Sequence, residues 1–107
     1  MAELRRDEVW CADLPEAGSH PVLILTRSRM IGRLDSVTVA PLTRSVRGIS
    51  TEVELTPDDG VPTRCVISLD NLLTVPKSLL TERITKLDAD TMNAVCEAIR
   101  VALDLPF

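Results

Sequence analysis

Residues 21–26 have the sequence Pro21-Val22-Leu23-Ile24-Leu25-Thr26, a continuous run of apolar and β-branched side chains that predicts a well-buried strand. A second apolar run, Glu8-Val9-Trp10-Cys11-Ala12-Asp13-Leu14, precedes it and predicts a short strand. Residues 15–20 lie between the two runs and contain proline and glycine. They predict a loop, and this loop ends with His20.

Further strand-forming runs follow along the chain, separated by segments rich in glycine, proline and arginine. They are residues 36–40, which end at Pro41, residues 51–55, in which polar and apolar side chains alternate, residues 64–69, and the amphipathic residues 82–87. Residues 72–75 either extend the strand at 64–69 or form a strand after it. Loops are predicted around Gly32 and over residues 43–50, and a turn over residues 56–60.

The clearest helix signal lies at the C-terminal end of the chain. Asp88 is a good N-cap, and the apolar residues after it follow helical spacing up to Pro106, where the helix is expected to end. They are Met92, Val95, Cys96, Ile99, Ala102 and Leu103. Six or seven short strands followed by one helix predict a mainly β fold, either a strongly curved antiparallel sheet or a small barrel.

Composition narrows the class of protein. The chain of 107 residues fits one domain, residues 1–107, and its 45% apolar and 26% charged residues indicate an ordered globular fold. No apolar stretch approaches the roughly 20 residues that span a bilayer, and residues 1–8 lack the apolar centre of a signal peptide. We therefore expect a cytoplasmic protein with no membrane partner.

Cysteine and histidine are too few for a metal site. Three cysteines without close spacing argue against a disulfide framework and a zinc site, and a single histidine excludes a histidine cage. These residues therefore predict neither a zinc site nor a histidine cage, and we expect no cofactor. Cys11, Cys65 and Cys96 are expected to be buried, reduced thiols.

Charge is unevenly placed along the chain. The net charge is −4, yet residues 20–50 carry five arginines against a single acidic residue, Asp35. The five are Arg27, Arg29, Arg33, Arg44 and Arg47. Arginine suits bidentate phosphate recognition, so this stripe is compatible with a short RNA or an acidic peptide, or simply with solvated loop ends. Aromatic residues make up 2%, which disfavours base-stacking modules and makes Trp10 a core or interface residue.

Four stretches, taken in order, resemble the MazF/PemK/Kid family of toxin endoribonucleases from bacterial toxin–antitoxin modules. They are residues 6–14, similar to the family's Arg-Gly-Asp/Glu-hydrophobic-Trp opening, residues 21–25, residues 39–43 with Arg47-Gly48 and Thr51-Glu52-Val53, and residues 84–105. The resemblance covers nearly the whole chain, and it depends on the order and spacing of the pieces.

This resemblance implies an SH3-like β-barrel with a C-terminal helix, assembled as a homodimer. It implies ribosome-independent, metal-free cleavage of single-stranded RNA at a short sequence. The 2′-hydroxyl of the substrate attacks the adjacent phosphorus, which leaves a 2′,3′-cyclic phosphate and a 5′-hydroxyl. It also implies a MazE-like antitoxin whose acidic tail covers the RNA-binding groove, with DNA reached only indirectly through that antitoxin.

Site residues follow from the same resemblance. Thr43 matches the family's catalytic threonine. The alternative is a structural role, in which its hydroxyl at the end of a strand forms a hydrogen bond with a backbone group. His20 stands where the family has an arginine, immediately before the proline that opens the second strand. RNA contacts are expected from some of Arg27, Arg29, Arg44 and Arg47.

Three hypotheses for His20 remain open. It replaces the arginine as a general acid or base, since an imidazole has an unperturbed pKa near 6.5 whereas arginine is a poor base. It marks a weakened or inactive chain. Or it is a surface loop residue, and Arg27 or Arg44 takes the catalytic place.

Two functions outside RNA cleavage are alternatives. A gyrase poison of the CcdB type shares the fold, but members of that branch have a C-terminal tripeptide containing tryptophan, and this chain ends Leu105-Pro106-Phe107. The other alternative is a catalytically weakened relic that still binds an antitoxin, and His20 is its only support in the sequence.

Overall fold

One antiparallel sheet of seven strands forms most of the molecule. The computed structural model describes residues 4–106. In chain order the elements are β1 (Glu8–Leu14), β2 (Gly18–Ile24), α1 (Ser28–Ile31), β3 (Ser36–Thr43), β4 (Glu52–Leu55), β5 (Cys65–Ser68), β6 (Leu73–Pro76), β7 (Leu80–Lys86) and α2 (Ala89–Ala102), with 3₁₀ turns at Pro57–Asp59 and Lys77–Leu79. The predicted mainly β fold with a C-terminal helix is confirmed.

Strand β3 has three partners. The strands follow the order β4-β5-β3-β2-β1-β7, and β6 also pairs with β3. Within β3, Ser36 to Val39 pair with β6, and Leu42 and Thr43 pair with β5. Pro41 pairs only with Val22 of β2 and lies between those two stretches. Proline is tolerated where its missing N–H has no ladder partner, so β3 continues past Pro41, and the prediction that this strand ends there is wrong.

The sheet buries both of its faces. Because side chains alternate across a strand, β2 sends Leu23 into one apolar cluster and Val22 and Ile24 into the other. Helix α2 covers the first cluster with Val95 and Ala98. Burial on both faces explains why residues 22–25 are apolar without interruption.

The second cluster contains Trp10, which is 4% exposed, so the expected core role of this residue is confirmed. Its indole Nε1 donates a hydrogen bond of 3.0 Å to Glu8 Oε1. A buried tryptophan needs such an acceptor for its N–H, and the glutamate that supplies it is itself 4% exposed.

The predicted loop over residues 15–20 is shorter than expected. Strand β2 begins at Gly18, so His20 lies in the strand and pairs with Ala12 of β1. Gly18 has a φ of +68°, a conformation that glycine adopts without strain, and this permits a tight turn over residues 15–17. Cross-strand pairing thus extends beyond the apolar run that marked the strand in the sequence.

Helix α2 begins where the sequence indicates, because Asp88 accepts a hydrogen bond of 2.8 Å from the Thr91 N–H. The helix ends at Ala102, before Pro106. Cys96 and Leu103 are exposed rather than in the core, and Cys11 is half-buried, so only Cys65 is the buried thiol that was predicted. Cys96 directly follows the buried Val95, and a helix rotates adjacent side chains onto different faces.

Asp7 occupies a backbone conformation that favours glycine. Its φ is +81°, and its side-chain Oδ1 is buried without a hydrogen-bond partner among residues 4–106. We expect Asp7→Gly to raise the free energy of unfolding by about 1 kcal/mol, because a strained non-glycine residue and an unsatisfied buried oxygen are both removed. Urea unfolding measures the change. Asp7→Ala is the control, since it removes the carboxylate but retains the strain; lower stability of Asp7→Gly would contradict the prediction.

Glu8 connects the N-terminal segment, β1 and β7. Burial raises the pKa of its carboxyl group, but hydrogen bonds from Trp10, Arg83 and the Arg5 N–H outweigh this and hold the pKa below its ordinary value of 4.5. A lowered pKa in the folded state stabilises the fold above the unfolded pKa, and this contribution is lost as pH falls through the folded pKa. We expect Glu8→Gln to weaken the loss of stability below about pH 4.5, measured by thermal unfolding across pH. If Glu8→Gln lost stability below this pH as steeply as the wild-type chain, the prediction would be contradicted.

Candidate active site

An open groove of about 370 Å³ lies where β2 begins and β3 ends. Its walls come from these two strand ends, from the connection between β4 and β5, and from β7. The lining residues are Ser19, His20, Pro21, Leu42, Thr43, Arg44, Val61, Pro62, Thr63, Cys65 and Ile84. Three residues singled out from the sequence, His20, Thr43 and Arg44, are therefore brought together here.

Strand register explains why His20 and Thr43 share the groove. The observed pairs of β2 with β3 run from Ile24↔Val39 to Val22↔Pro41. His20 lies two residues before Val22, and Thr43 lies two residues after Pro41, so both residues lie just beyond the same end of the paired stretch. Both line the groove, so both side chains are able to reach one small ligand.

Thr43 already has one hydrogen bond in this structure. Its Oγ1 accepts a bond of 3.1 Å from the Ser45 N–H, which is the local satisfaction of a backbone group expected from a hydroxyl at a strand end. A hydroxyl that accepts still has its own proton to donate. The half-buried Thr43 can therefore stabilise the loop after β3 and contact a phosphate oxygen in the groove.

The arginine stripe separates into two clusters. Arg44 lines the groove, and the exposed Arg47 follows in the same loop. Arg27 precedes α1, which contains Arg29, and both lie at the other end of β2. Strands rise about 3.3 Å per residue, so roughly 20 Å of chain separates them from His20. The structure does not bring Arg27 or Arg29 into the groove, because the extended β2 strand keeps its two ends far apart.

A larger groove of about 920 Å³ lies beside α1 and includes Trp10, Ile31 and Lys77. It contains neither His20 nor Thr43. We place the candidate chemistry in the smaller groove, because that is where a proton carrier, a hydroxyl and a cation converge.

Several groove residues were missed in the sequence. Thr63 and Ser19 add hydroxyl groups to the wall, but isolated serines and threonines in turns carry no signal of their own. Cys65 also lines the groove, and burial, together with the charge of Asp59, raises the pKa of its thiol. A protonated, buried thiol is a poor nucleophile, so Cys65 contributes packing rather than chemistry.

Two further observations concern metal binding and membrane-spanning helices. Within residues 4–106, no three His, Cys, Asp or Glu side chains are grouped so that they could hold a metal ion. Over the same residues, neither helix has the length and apolarity needed to cross a membrane.

Comparison with known proteins assigns the class. Residues 5–103 match the family model described as PemK-like, MazF-like toxin of type II toxin-antitoxin system, so the chain falls among the toxins of these modules. It is 39% identical over 100 residues to "Probable endoribonuclease MazF2" of Mycobacterium tuberculosis, covering 92% of this chain and 97% of that protein. It is 44% identical over 87 residues to "Endoribonuclease MazF3" of the same species, covering 81% and 84%. The chain belongs to the PemK/MazF family, and the resemblance stated from the sequence is confirmed.

Solved structures agree with this assignment. The Mycobacterium tuberculosis toxin MazF-mt6 superposes with a TM-score of 0.87 at 40% identity, covering 94% of this chain and 99% of that chain. An endoribonuclease from mycobacterial species, solved in complex with its cognate antitoxin, superposes with a TM-score of 0.89 at 29% identity, covering 97% and 98%.

Proposed function

We propose that this chain is the endoribonuclease toxin of a type II toxin–antitoxin module and cleaves single-stranded RNA at a short sequence without a metal. The observation that carries the proposal is the convergence of His20, Thr43 and Arg44 on one open groove. The names of the relatives as endoribonucleases support the same activity.

The groove offers groups for two tasks of such a reaction, removal of the 2′-hydroxyl proton and stabilisation of charge, and water supplies the proton for the leaving oxygen. His20 accepts the proton of the 2′-hydroxyl as its oxygen bonds to phosphorus, and water protonates the 5′ oxygen as the P–O5′ bond breaks. Thr43 donates a hydrogen bond from its hydroxyl group to a phosphate oxygen. Arg44 stabilises the charge that develops on the phosphorane. The products are a 2′,3′-cyclic phosphate and a 5′-hydroxyl.

The placement of the arginines bears on the three hypotheses for His20. Arg27 lies at the far end of β2, which weighs against its taking the catalytic place. His20 belongs to a paired strand rather than a loose loop, which weighs against a slipped alignment. A proton-carrying His20 with Arg44 beside it is the hypothesis we adopt, and a weakened toxin is the alternative that experiment must exclude.

We further propose a homodimer that acts in the cytoplasm and is neutralised by a MazE-like antitoxin, with DNA bound only through that antitoxin. Exposed apolar side chains such as Val101, 40% exposed, and Leu103, 54% exposed, offer surface for association. Light scattering at micromolar concentration checks the assembly: twice the monomer mass supports it, and a strict monomer contradicts it.

The function is tested by incubating the purified chain with a set of short single-stranded RNAs in the presence of EDTA. Sequence-specific cuts with 2′,3′-cyclic phosphate ends are expected. Stalled gyrase–DNA complexes without RNA cleavage would instead indicate a gyrase poison. Tight antitoxin binding with neither activity would indicate a relic.

Salt dependence of RNA binding distinguishes the two arginine clusters. A protein that neutralises phosphates releases counterions, so each real contact steepens the fall of affinity with salt. We expect Arg44→Ala to flatten the slope of log K against log salt by about one unit. Arg27→Ala is the matched control and is expected to leave the slope unchanged, because Arg27 lies at the other end of β2. A flatter slope in Arg27→Ala with an unchanged slope in Arg44→Ala would instead indicate that RNA binds beside α1.

A further inference from the structure

In the connection between β3 and β4, residues 44–50 carry both arginines next to the groove and are all exposed, whereas the last residue before β4, Thr51, is buried. The apolar members of this 44–50 loop, Val46 and Ile49, are 46% and 43% exposed. Burial of apolar side chains therefore contributes little to the shape of this loop. Ordering an exposed loop costs conformational entropy for each residue, so polar contacts have to hold it.

Glu52, the first residue of β4, makes most of those contacts. Its Oε1 accepts hydrogen bonds from the Arg47 N–H at 3.0 Å and the Gly48 N–H at 2.9 Å. Its own N–H donates to the Ile49 carbonyl oxygen at 3.1 Å. At the other end of the loop, Thr43 accepts from the Ser45 N–H. Hydrogen bonds thus hold the loop at both ends, and those to the Glu52 carboxylate are charge-assisted.

Gly48 makes this geometry possible. Its φ is +70°, a left-handed conformation that glycine adopts without strain, in the turn where the Arg47 and Gly48 N–H groups both reach Glu52 Oε1. A carboxylate at position 52 is therefore matched to the backbone of the loop rather than to a side chain.

The carboxylate of Glu52 does not neutralise the loop's arginines. Among residues 4–106, the described ion pairs join Arg64 with Glu54, Arg83 with Glu8 and Arg100 with Glu97. Neither Arg44 nor Arg47 belongs to any of these pairs. The guanidinium groups of the loop therefore remain available to an anionic ligand.

We infer that Glu52 is a positioning residue: it holds the 44–50 loop so that Arg44 and Arg47 meet the phosphates of RNA in the groove. This inference rests on the proposed function. Glu52 acts through the loop backbone and touches no substrate.

Three variants separate anchoring from simple charge effects. Glu52→Ala removes the acceptor, and Glu52→Gln retains an amide oxygen that accepts the same two N–H bonds. Glu54→Ala is the matched control, because it removes the same charge from the same strand and breaks only an exposed ion pair with Arg64. An effect of charge alone would appear in all three variants.

The first measurement is hydrogen exchange of the Arg47 and Gly48 amides in the protein without RNA. We expect faster exchange in Glu52→Ala and near wild-type exchange in Glu52→Gln and Glu54→Ala. The second is the steady-state kinetics of RNA cleavage. In Glu52→Ala, kcat/KM is expected to fall about tenfold, with a higher KM because both arginines lose their phosphate contacts and a lower kcat because Arg44 also stabilises the phosphorane. The salt slope is expected to flatten by about one unit.

Each result is decisive. Faster exchange in Glu52→Ala with an unchanged KM and salt slope would overturn the positioning role. It would also be overturned if RNA binding weakened as much in Glu52→Gln and Glu54→Ala as in Glu52→Ala. Unchanged exchange in Glu52→Ala would overturn the anchoring itself. If the wild-type chain leaves RNA uncut, the proposed nuclease function fails and the positioning role for RNA fails with it. Amide exchange then still decides whether Glu52 anchors the loop.

Discussion

Replacing His20 with alanine is expected to lower the rate of RNA cleavage by about 10² to 10⁴-fold, the usual size of a general acid–base contribution. His20 lies in the groove with Thr43 and Arg44, and no other histidine is present in the chain. Single-turnover cleavage of a short RNA measures the rate. Glu16→Ala is the control, because Glu16 is exposed in the turn of the same hairpin and does not line the groove.

Substitution of His20 with arginine distinguishes the remaining hypotheses. If His20 carries a proton in the reaction, the wild-type rate depends on pH, and His20→Arg removes that dependence. If the chain is a weakened toxin, His20→Arg greatly raises cleavage and makes the chain toxic to cells. A rate that neither His20→Ala nor His20→Arg changes would remove His20 from the mechanism and direct attention to Arg44.

Replacing Gly60 with alanine is expected to lower the free energy of unfolding by about 3 kcal/mol or more. Gly60 has a φ of +94°, and a Cβ atom there would overlap the side chain of Thr85. Backbone strain of this kind costs about 1–3 kcal/mol, and overpacking typically adds a similar amount. The displaced Thr85 hydroxyl would also lose its hydrogen bond to the Asp59 carbonyl oxygen, which is 3.0 Å long.

Gly18→Ala is the matched control for this measurement. Gly18 also has a positive φ, +68°, but among residues 4–106 no atom beyond Gly18 and its two chain neighbours lies within 4 Å of the position that a Cβ would take. Urea unfolding of the two variants therefore separates backbone strain from the collision with Thr85. Equal losses of stability in the two variants would show that the collision of a Cβ atom at position 60 with Thr85 adds nothing to the cost of backbone strain.

Gly60 also matters for the candidate site. It precedes Val61, Pro62 and Thr63, which form one wall of the groove. The Thr85 hydroxyl bond ties the turn before this wall to β7. A Gly60→Ala variant that remains folded is therefore expected to bind RNA more weakly, because this wall of the groove is displaced.

Local signals predicted most of the secondary structure. The apolar run of β2, the alternation in β4 and the Asp88 cap of α2 were all readable, because each depends on residues close together in the chain. The same kind of signal failed at Pro41, because the tolerance for a proline depends on whether a neighbouring strand needs its N–H. It failed also at residues 18–20, where pairing with β1 extends a strand that lacks an apolar pattern.

Residue types in the sequence thus accounted for the fold class, the helix and the chemistry available to His20, Thr43 and the arginines, because hydrophobic spacing and side-chain chemistry are properties of the local chain. The arrangement of these groups came from the tertiary fold. The β2–β3 register places His20 and Thr43 at the same end of the two strands and Arg27 at the other end. Register is set by packing between distant segments. The bonds from Glu52 to the Arg47 and Gly48 N–H groups join residues close in the chain, but they depend on a loop conformation that residue types alone do not specify.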